Sequence, residues 1–278
     1  MDRKLVFFDI DGTVWDWEGV IPDSAKRAIK KLKENGHIPI ICSGRARGNI
    51  QREDLFDMGF EGVVAACGDY AEFDGKVIFQ EFIEKDVLKK VVELSNECRV
   101  PIVLEGPKKH WISRFGFEKD NFVTRMYNEM KDRAVTIDGF TDDMEANKFS
   151  GDVLVSSDYD TFKTELLKHF YFIEHGLTPD IRERSDKDSD IIKAVFECVI
   201  PGTSKAKGMR KLCEYLGVDM EDTYAFGDSN NDLEMIEAAK VGIAMGNGTK
   251  EIKEAADYIT DGIWEDGIEK ALKHFGLI

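Results

Sequence analysis

Phe7-Phe8-Asp9-Ile10-Asp11-Gly12-Thr13, close to the N-terminus, is the stretch whose reading decides the fold. Lys4 to Ile10 reads as a strand, because Leu5, Val6, Phe7 and Phe8 form a short apolar run with no helical spacing. A continuous run of that kind marks a strand buried on both faces, as in a parallel sheet. Gly12 then breaks it. The two carboxylates therefore fall at the C-terminal end of the strand, where open α/β sheets bind ligands. Alternate strand positions share a face, so Asp9 and Asp11 are expected side by side. Like charges that close need a cation or a raised pKa to relieve them, and carboxylate oxygens suit a hard ion such as Mg²⁺. Asp-x-Asp-Gly also occurs in turns and in calcium loops. A helix–loop–helix calcium site needs Glu at the last loop position and a helix in front; here that position is Val20 and a strand precedes.

Working outward, the same rhythm recurs. Asp23 is expected to cap a helix with Ala25, Ala28, Ile29 and Leu32 along one face, ended by Asn35-Gly36. Ile38 to Cys42 is a second buried strand running into Ser43-Gly44-Arg45; a helix and a short strand, Gly62 to Ala66, follow. Strand–helix alternation is the signature of a doubly wound parallel sheet. The character then changes: a hairpin at Ala71 to Gln80 turning at Asp74-Gly75, an amphipathic helix at Glu84 to Cys98, strands at Pro101 to Glu105 and Trp111 to Phe115, and two short helical stretches. Strands at Asp152 to Ser156, Phe170 to Glu174 and Val195 to Ile200 complete a mixed α+β unit too long for a loop. From Ser204 the first rhythm resumes, through a helix, the strand Thr223 to Phe226, Gly227-Asp228-Ser229-Asn230-Asn231-Asp232, and further strands at Val241 to Met245 and Asp257 to Ile259. The expected organisation is a discontinuous core, residues 1–82 and 200–278, with an inserted α/β cap domain at 83–199.

Composition narrows the function classes. The chain has 278 residues, 42% hydrophobic and 33% charged, with a formal charge of −16. That balance permits a core and argues against a nucleic-acid surface, which needs a basic footprint. No segment is apolar enough to span a membrane, and Met1-Asp2-Arg3-Lys4 enters the first strand without a signal-peptide pattern. Five scattered cysteines with no Cys-x-x-Cys read as reduced thiols of a cytoplasmic protein.

Polar groups gather at one edge of the expected sheet: Asp9 and Asp11 from the first strand, Ser43 from the second, Lys205 opening a helix after Pro201-Gly202, and Asp228, Asn231 and Asp232 after Gly227. Acids, a lysine, a hydroxyl and an amide together make a site for a phosphoryl group and Mg²⁺. These stretches resemble the four motifs, in order, of the haloacid dehalogenase-like superfamily: Asp9-Ile10-Asp11-Gly12-Thr13-Val14, Ser43-Gly44-Arg45, Ser204-Lys205-Ala206-Lys207-Gly208 and Gly227-Asp228-Ser229-Asn230-Asn231-Asp232. The long interval between the second and third is similar to the Cof-type subfamily (subclass IIB), which carries a large α/β cap there. Ala206 stands where the family usually has glycine after the lysine.

The resemblance implies a Rossmann-like core and a Mg²⁺-dependent phosphatase of small phosphorylated metabolites, sugar phosphates above all. Asp9 would be the nucleophile, forming an aspartyl phosphate. Asp11 would be the general acid and base and would lend its main-chain carbonyl to the metal, which Asp9 and Asp228 also hold. Asp232 would stand in the shell behind, orienting metal waters or Lys205. Ser43, Lys205 and Asn231 would hold phosphate oxygens, with Gly12 and Gly44 allowing close backbone approach. The cap would close over the substrate and exclude water. Arg45 is left outside this site, as able to pair with an acid as to touch substrate. Trp15 and Trp17 are candidates for the site entrance, and Trp111, Arg114, Arg182 and Arg184 for a substrate-facing cap surface. Alternatives are a phosphomutase using the same acid pair, or a phosphosugar sensor without turnover. Dehalogenation is disfavoured because it does not use the second acid, Asp11. Oligomeric state is left open.

Overall fold

The computed structural model describes residues 3–117, 121–175 and 191–278. Its first sheet is built around Leu5–Phe8 (β1), which pairs in parallel with Ile38–Cys42 (β2) on one side and with Thr223–Gly227 (β12) on the other. Gly62–Ala65 (β3), Val241–Ala244 (β13) and Tyr258–Ile259 (β14) extend the parallel array. The hairpin of Tyr70–Phe73 (β4) and Lys76–Gln80 (β5) closes one edge in antiparallel fashion, giving the order β14-β13-β12-β1-β2-β3-β4-β5. Strand order reverses beside β1: the chain first moves outward through β2 and β3, then returns to add β12 on the opposite side. Such a switch point opens a crevice at the strand C-termini.

The apolar run of β1 is explained by cover on both faces. Val6 and Phe8 belong to a core with Ala25, Ile29 and Leu32 of the helix Asp23–Glu34 (α1). Leu5 and Phe7 point the other way, among Met209, Leu212 and Cys213 of a helix at Lys205–Leu216. The strand is shorter than the expected Lys4 to Ile10, because the chain turns at once after Phe8: the N–H groups of Thr13, Val14 and Trp15 all donate to the carbonyl of Ile10. At α1 the cap position is Pro22, and Asp23 is the first helical residue rather than the cap. There it complements the helix dipole instead.

By internal contacts the chain forms two compact units, one of Met1–Arg45, Ile50–Gln80 and Thr203–Ile278, the other of Ala46–Asn49 and Glu81–Gly202. Beyond α1, the first unit carries helices at Glu53–Asp57 (α2), Lys205–Leu216 (α6), Leu233–Ala238 (α7), Lys250–Ala255 (α8) and Gly267–His274 (α9). In the second unit, Ile102–Glu105 (β6), His110–Ser113 (β7), Ala134–Ile137 (β8), Lys148–Leu154 (β9), Tyr171–His175 (β10) and Ile191–Val199 (β11) make a sheet of order β10-β11-β9-β6-β7-β8. Lys85–Glu97 (α3) and Tyr159–Leu166 (α5) pack on one face around Phe149 and Phe196. Phe122–Met130 (α4) packs on the other, against Val103 and Ile112. Trp111 is buried in the first of these cores, and Arg114 is exposed and paired with Asp138. Arg182 and Arg184 lie outside the described residues. None of the described helices is long and apolar enough to cross a membrane.

Candidate active site

Asp9 directly follows β1, and its N–H still donates to the carbonyl of Phe226 (2.9 Å), which anchors it to β12. Its side chain is buried and accepts from Nζ of Lys205 at 2.6 Å. Lys205 is the first residue of α6, whose start is fixed by Ser204: the Ser204 hydroxyl accepts from the Lys207 N–H at 3.2 Å. A second anchor is steric. Gly68 packs so tightly on this turn that a Cβ there would stand 1.9 Å from the carbonyl oxygen of Ser204. Nζ of Lys205 also contacts the Asp232 carboxylate closely, and Asn231 Oδ1 at 3.4 Å. Asp232 in turn accepts from the backbone N–H groups of Asp228 and Ser229, both at 3.1 Å, so one carboxylate braces both the lysine and the loop after β12.

Oxygens of Asp9, Asp228 and Asp232 lie within 4.8 Å of one another, all buried. The electrostatic consequence follows. Burial, and then the charge of Asp232, push the pKa of Asp9 well above the ordinary carboxylate value, against the pull of Lys205. Burial and Asp232 likewise push Asp228 up to about 6, with a hydrogen bond from Thr13 Oγ1 (3.0 Å) in opposition. Burial would lower the pKa of Lys205, but Asp232 and Asp9 outweigh it and keep the amine protonated. One ammonium thus faces three carboxylates.

Asp11 does not join that cluster. Both its oxygens are taken by Arg45, Nε on Oδ2 and Nη2 on Oδ1, each at 2.8 Å, and Trp15 Nε1 donates to Oδ1 at 2.8 Å. Burial acts to raise its pKa, yet Arg45 and then Trp15 hold it below the usual carboxylate value. The expectation that Asp9 and Asp11 act as a side-by-side pair is corrected in their partners: the regular strand ends at Phe8, so alternation no longer fixes Asp11, and its carboxylate pairs with Arg45 and Trp15 while Asp9 pairs with Lys205.

Ser43 directly follows β2, buried, with its hydroxyl accepting from the Arg45 N–H at 3.2 Å. A Cβ on Gly44 would lie 3.7 Å from Asn231 Nδ2, so the second and fourth motifs meet here. Sequence reasoning gave no role to Thr13, left Arg45 out and missed Asn247, whose Nδ2 donates to the carbonyl of Gly12 at 2.8 Å. For Asn247 a signal existed: Gly246-Asn247-Gly248 follows β13, another strand ending at the same edge. Trp17 is exposed, whereas Trp15 is buried beside Asp11.

Comparisons with known proteins converge. A family model described as haloacid dehalogenase-like hydrolase matches residues 6–272. YkrA of Bacillus subtilis (strain 168), provisionally named a phosphatase, is 30% identical over all of both chains. YcsE of the same organism, named as a 5-amino-6-(5-phospho-D-ribitylamino)uracil phosphatase, is 27% identical over 100% of this chain and 97% of its own. Among solved structures, a hypothetical protein from Geobacillus kaustophilus HTA426 superposes with a TM-score of 0.83 at 27% identity, covering 100% of each chain.

Proposed function

Because the chain belongs to the haloacid dehalogenase-like hydrolases, of the Cof type, and is a phosphoric monoester hydrolase, we propose that it is a Mg²⁺-dependent phosphatase of small phosphorylated metabolites, sugar phosphates foremost, acting through an aspartyl phosphate on Asp9. The observation that carries this reading is the buried cluster at the switch point, where oxygens of Asp9, Asp228 and Asp232 lie within 4.8 Å of one another and Lys205 pairs with Asp9 and Asp232. The name of YcsE, which describes a phosphorylated ribityl compound, supports the metabolite class.

The donor set fits a hard cation. Among the described residues the Asp228 carboxylate accepts one side-chain hydrogen bond, from Thr13, and its pKa is raised by burial and by Asp232. Uncompensated carboxylate oxygens in a buried site are what Mg²⁺ selects. Asp9, Asp228 and the main-chain carbonyl of Asp11 would hold the ion, with Asp232 behind them. When bound, the ion supplies neutralisation of phosphoryl oxygen charge.

The chain's own groups divide the remaining work. Asp9 attacks phosphorus as the nucleophile. Lys205, Ser43, Asn231 and the backbone at Gly44 receive the phosphoryl oxygens. Asp11 protonates the leaving oxygen and later takes a proton from the attacking water, a contribution of about 10²–10⁴-fold. Asp232 keeps Lys205 charged and aimed. The division into a catalytic core (1–82 and 200–278) and an inserted domain (83–199) is part of the same proposal, as are a cytoplasmic location, a small-molecule rather than nucleic-acid or membrane partner, and thiols that stay reduced; the five free cysteines support the last.

The test is phosphate release across sugar phosphates, nucleotides, phosphorylated cofactors and pyrophosphate, with Mg²⁺ or with chelator, for wild type and Asp9→Asn. Release that needs metal and disappears in the variant is expected. Release undiminished in Asp9→Asn would overturn the aspartyl-phosphate route. Tight binding of a phosphosugar with no release would move the reading to a sensor, and dependence on a bisphosphate to a mutase.

A further inference from the structure

One turn of the chain is strained. Directly after β3, Ala66 and Cys67 have φ of +50° and +54°, a left-handed backbone that disfavours residues with a Cβ, and Gly68 follows at +106°. Non-glycine residues persist in such a conformation where their surroundings over-determine it. Here the surroundings are two of the motifs. The Ala66 N–H donates to the carbonyl of Arg45 at 2.7 Å and the Cys67 N–H to that of Ser43 at 3.3 Å, so the turn is bound to the second motif on either side of Gly44. Gly68 closes on the carbonyl of Ser204 and on Gly208, where a Cβ would stand 3.0 Å from Gly68 Cα. Asp69 fastens the other side. Its buried carboxylate accepts from Lys207 Nζ at 2.9 Å and meets the Thr203 hydroxyl closely.

The turn is thus a spacer between Ser43-Gly44-Arg45 and the start of α6. Connecting β3 to β4 does not require it: the two are antiparallel neighbours, and tight turns join such strands without a buried charge. Both flanks of the spacer lead to one point. A Cβ on Gly44 would lie 3.7 Å from Asn231 Nδ2, while Lys205 Nζ lies 3.4 Å from Asn231 Oδ1 and 2.6 Å from Asp9 Oδ1. Asp69 touches Thr203 and Lys207, on either side of Lys205 in the chain, and so fixes the residue between them.

We infer that Asp69 and the turn before it are a positioning element for phosphoryl transfer, setting the separation between Ser43-Gly44 and Lys205 that fits five-coordinate phosphorus. The inference rests on the phosphatase reading above. In the transfer a bond forms between an Asp9 oxygen and phosphorus, the bond to the ester oxygen breaks, and that oxygen takes up a proton and leaves as an alcohol. Between the two events, charge is spread over three equatorial oxygens. Donors carried on separate loops match those oxygens only while the loops keep their distance, and a misplacement of about 1 Å can cost on the order of 10²-fold.

The test measures binding by calorimetry in the presence of Mg²⁺, with two probes. Orthovanadate expands to five coordination, whereas inorganic phosphate stays tetrahedral, and an analogue of the transition state reports a fit that the ground state does not. Asp69→Ala is expected to weaken vanadate about 10-fold more than phosphate, and Gly68→Ala, whose Cβ would stand 1.9 Å from the Ser204 carbonyl oxygen, about 10- to 100-fold more. Asp69→Asn, which can keep the Thr203 contact, should fall between Asp69→Ala and wild type. Thr203→Val should shift the ratio in the same direction, and added to Asp69→Ala should shift it no further. Gly217→Ala is the control: it lies at the far end of α6, at φ of +63° with nothing within 4 Å, and should lower stability while leaving the ratio of the two affinities as in wild type. Equal losses for both probes, a ratio changed as much by Gly217→Ala, or additive effects of Thr203→Val would overturn the inference and make the turn a stabilising element only. Wild type that bound neither probe would instead remove the phosphatase reading and the inference with it. Urea midpoints show which variants are folded, and the Asp69 variants carry the test where Gly68→Ala is not.

Discussion

Replacing Lys205 by Met isolates the physics of the site, because Met fills much of the same volume and leaves Asp9 and Asp232 without their cation. Nζ lies 2.6 Å from Asp9, and the side chains of Lys205, Asp9 and Asp232 are 1%, 6% and 0% exposed. Removing one partner of a buried pair costs about 3–5 kcal/mol, since the other charge stays buried and uncompensated. In a chain of this size each kcal/mol lowers the midpoint by roughly 2–4 °C, so a fall of about 6–20 °C is expected. The sign of the pH dependence is fixed. Burial and Asp232 already hold the Asp9 pKa high, and losing Lys205 raises it further. A carboxylate whose folded pKa is raised favours the folded state at low pH, and that advantage fades as pH rises through the folded pKa. The deficit of Lys205→Met should therefore be small near pH 5 and largest near pH 8. Adding Asp232→Asn should recover about 1–3 kcal/mol, the coupling typical of groups in one network. Urea titrations in the presence of chelator, at both pH values, measure all of this. A deficit under about 1 kcal/mol at pH 8, or one that does not change with pH, would refute the account of a lysine neutralising surplus carboxylates.

Two further predictions share the same assays. Gly12→Ala should cost about 1–2 kcal/mol for its left-handed backbone and a further ~1–3 kcal/mol for the clash, because the new Cβ would stand 2.3 Å from Asp228 Oδ2. Gly75→Ala, at φ of +71° with nothing within 4 Å, should show only the backbone part, so equal midpoints for the two would contradict the close approach. Mg²⁺ should raise the wild-type thermal midpoint at pH 8, by about 2.7 kcal/mol at a hundred times its Kd. That gain should shrink as pH falls through about 6, where burial and Asp232 cause Asp228 to take up a proton; a gain unchanged at pH 5 would exclude Asp228 as a ligand.

Much of the fold is legible because the signals are local. The unbroken apolar runs of β1 and β2, and the turn residues Asp74-Gly75 between β4 and β5, need no partner to be read. β8 is not legible because Ala134-Val135-Thr136-Ile137 is four residues long and only half covered, as an edge strand can be. In the site, groups named from their motifs were found in contact where the contact runs through Lys205. The pairing of Arg45 with Asp11 is not legible, since a sequence carries no sign of which acid an arginine will meet. The parting of Asp9 from Asp11 was illegible for another reason: periodicity describes a strand only while the strand lasts, and β1 ends one residue before the first acid.

The position of β1 between β2 and β12 also has a bearing on how the chain is made. β12 lies beyond the whole second unit in sequence, so a ribosome releases Leu5–Phe8 and β2 long before Thr223–Gly227. During that interval one edge of an entirely apolar strand has no neighbour, the kind of edge that invites pairing with another chain. Asp9 waits over the same interval without Lys205, and its charge sits at the end of that open edge. A charge at the end of an open apolar edge is the kind of gatekeeper that opposes aggregation, and the stretch from Thr203 onward completes the sheet and the buried cluster of Asp9 and Lys205 together.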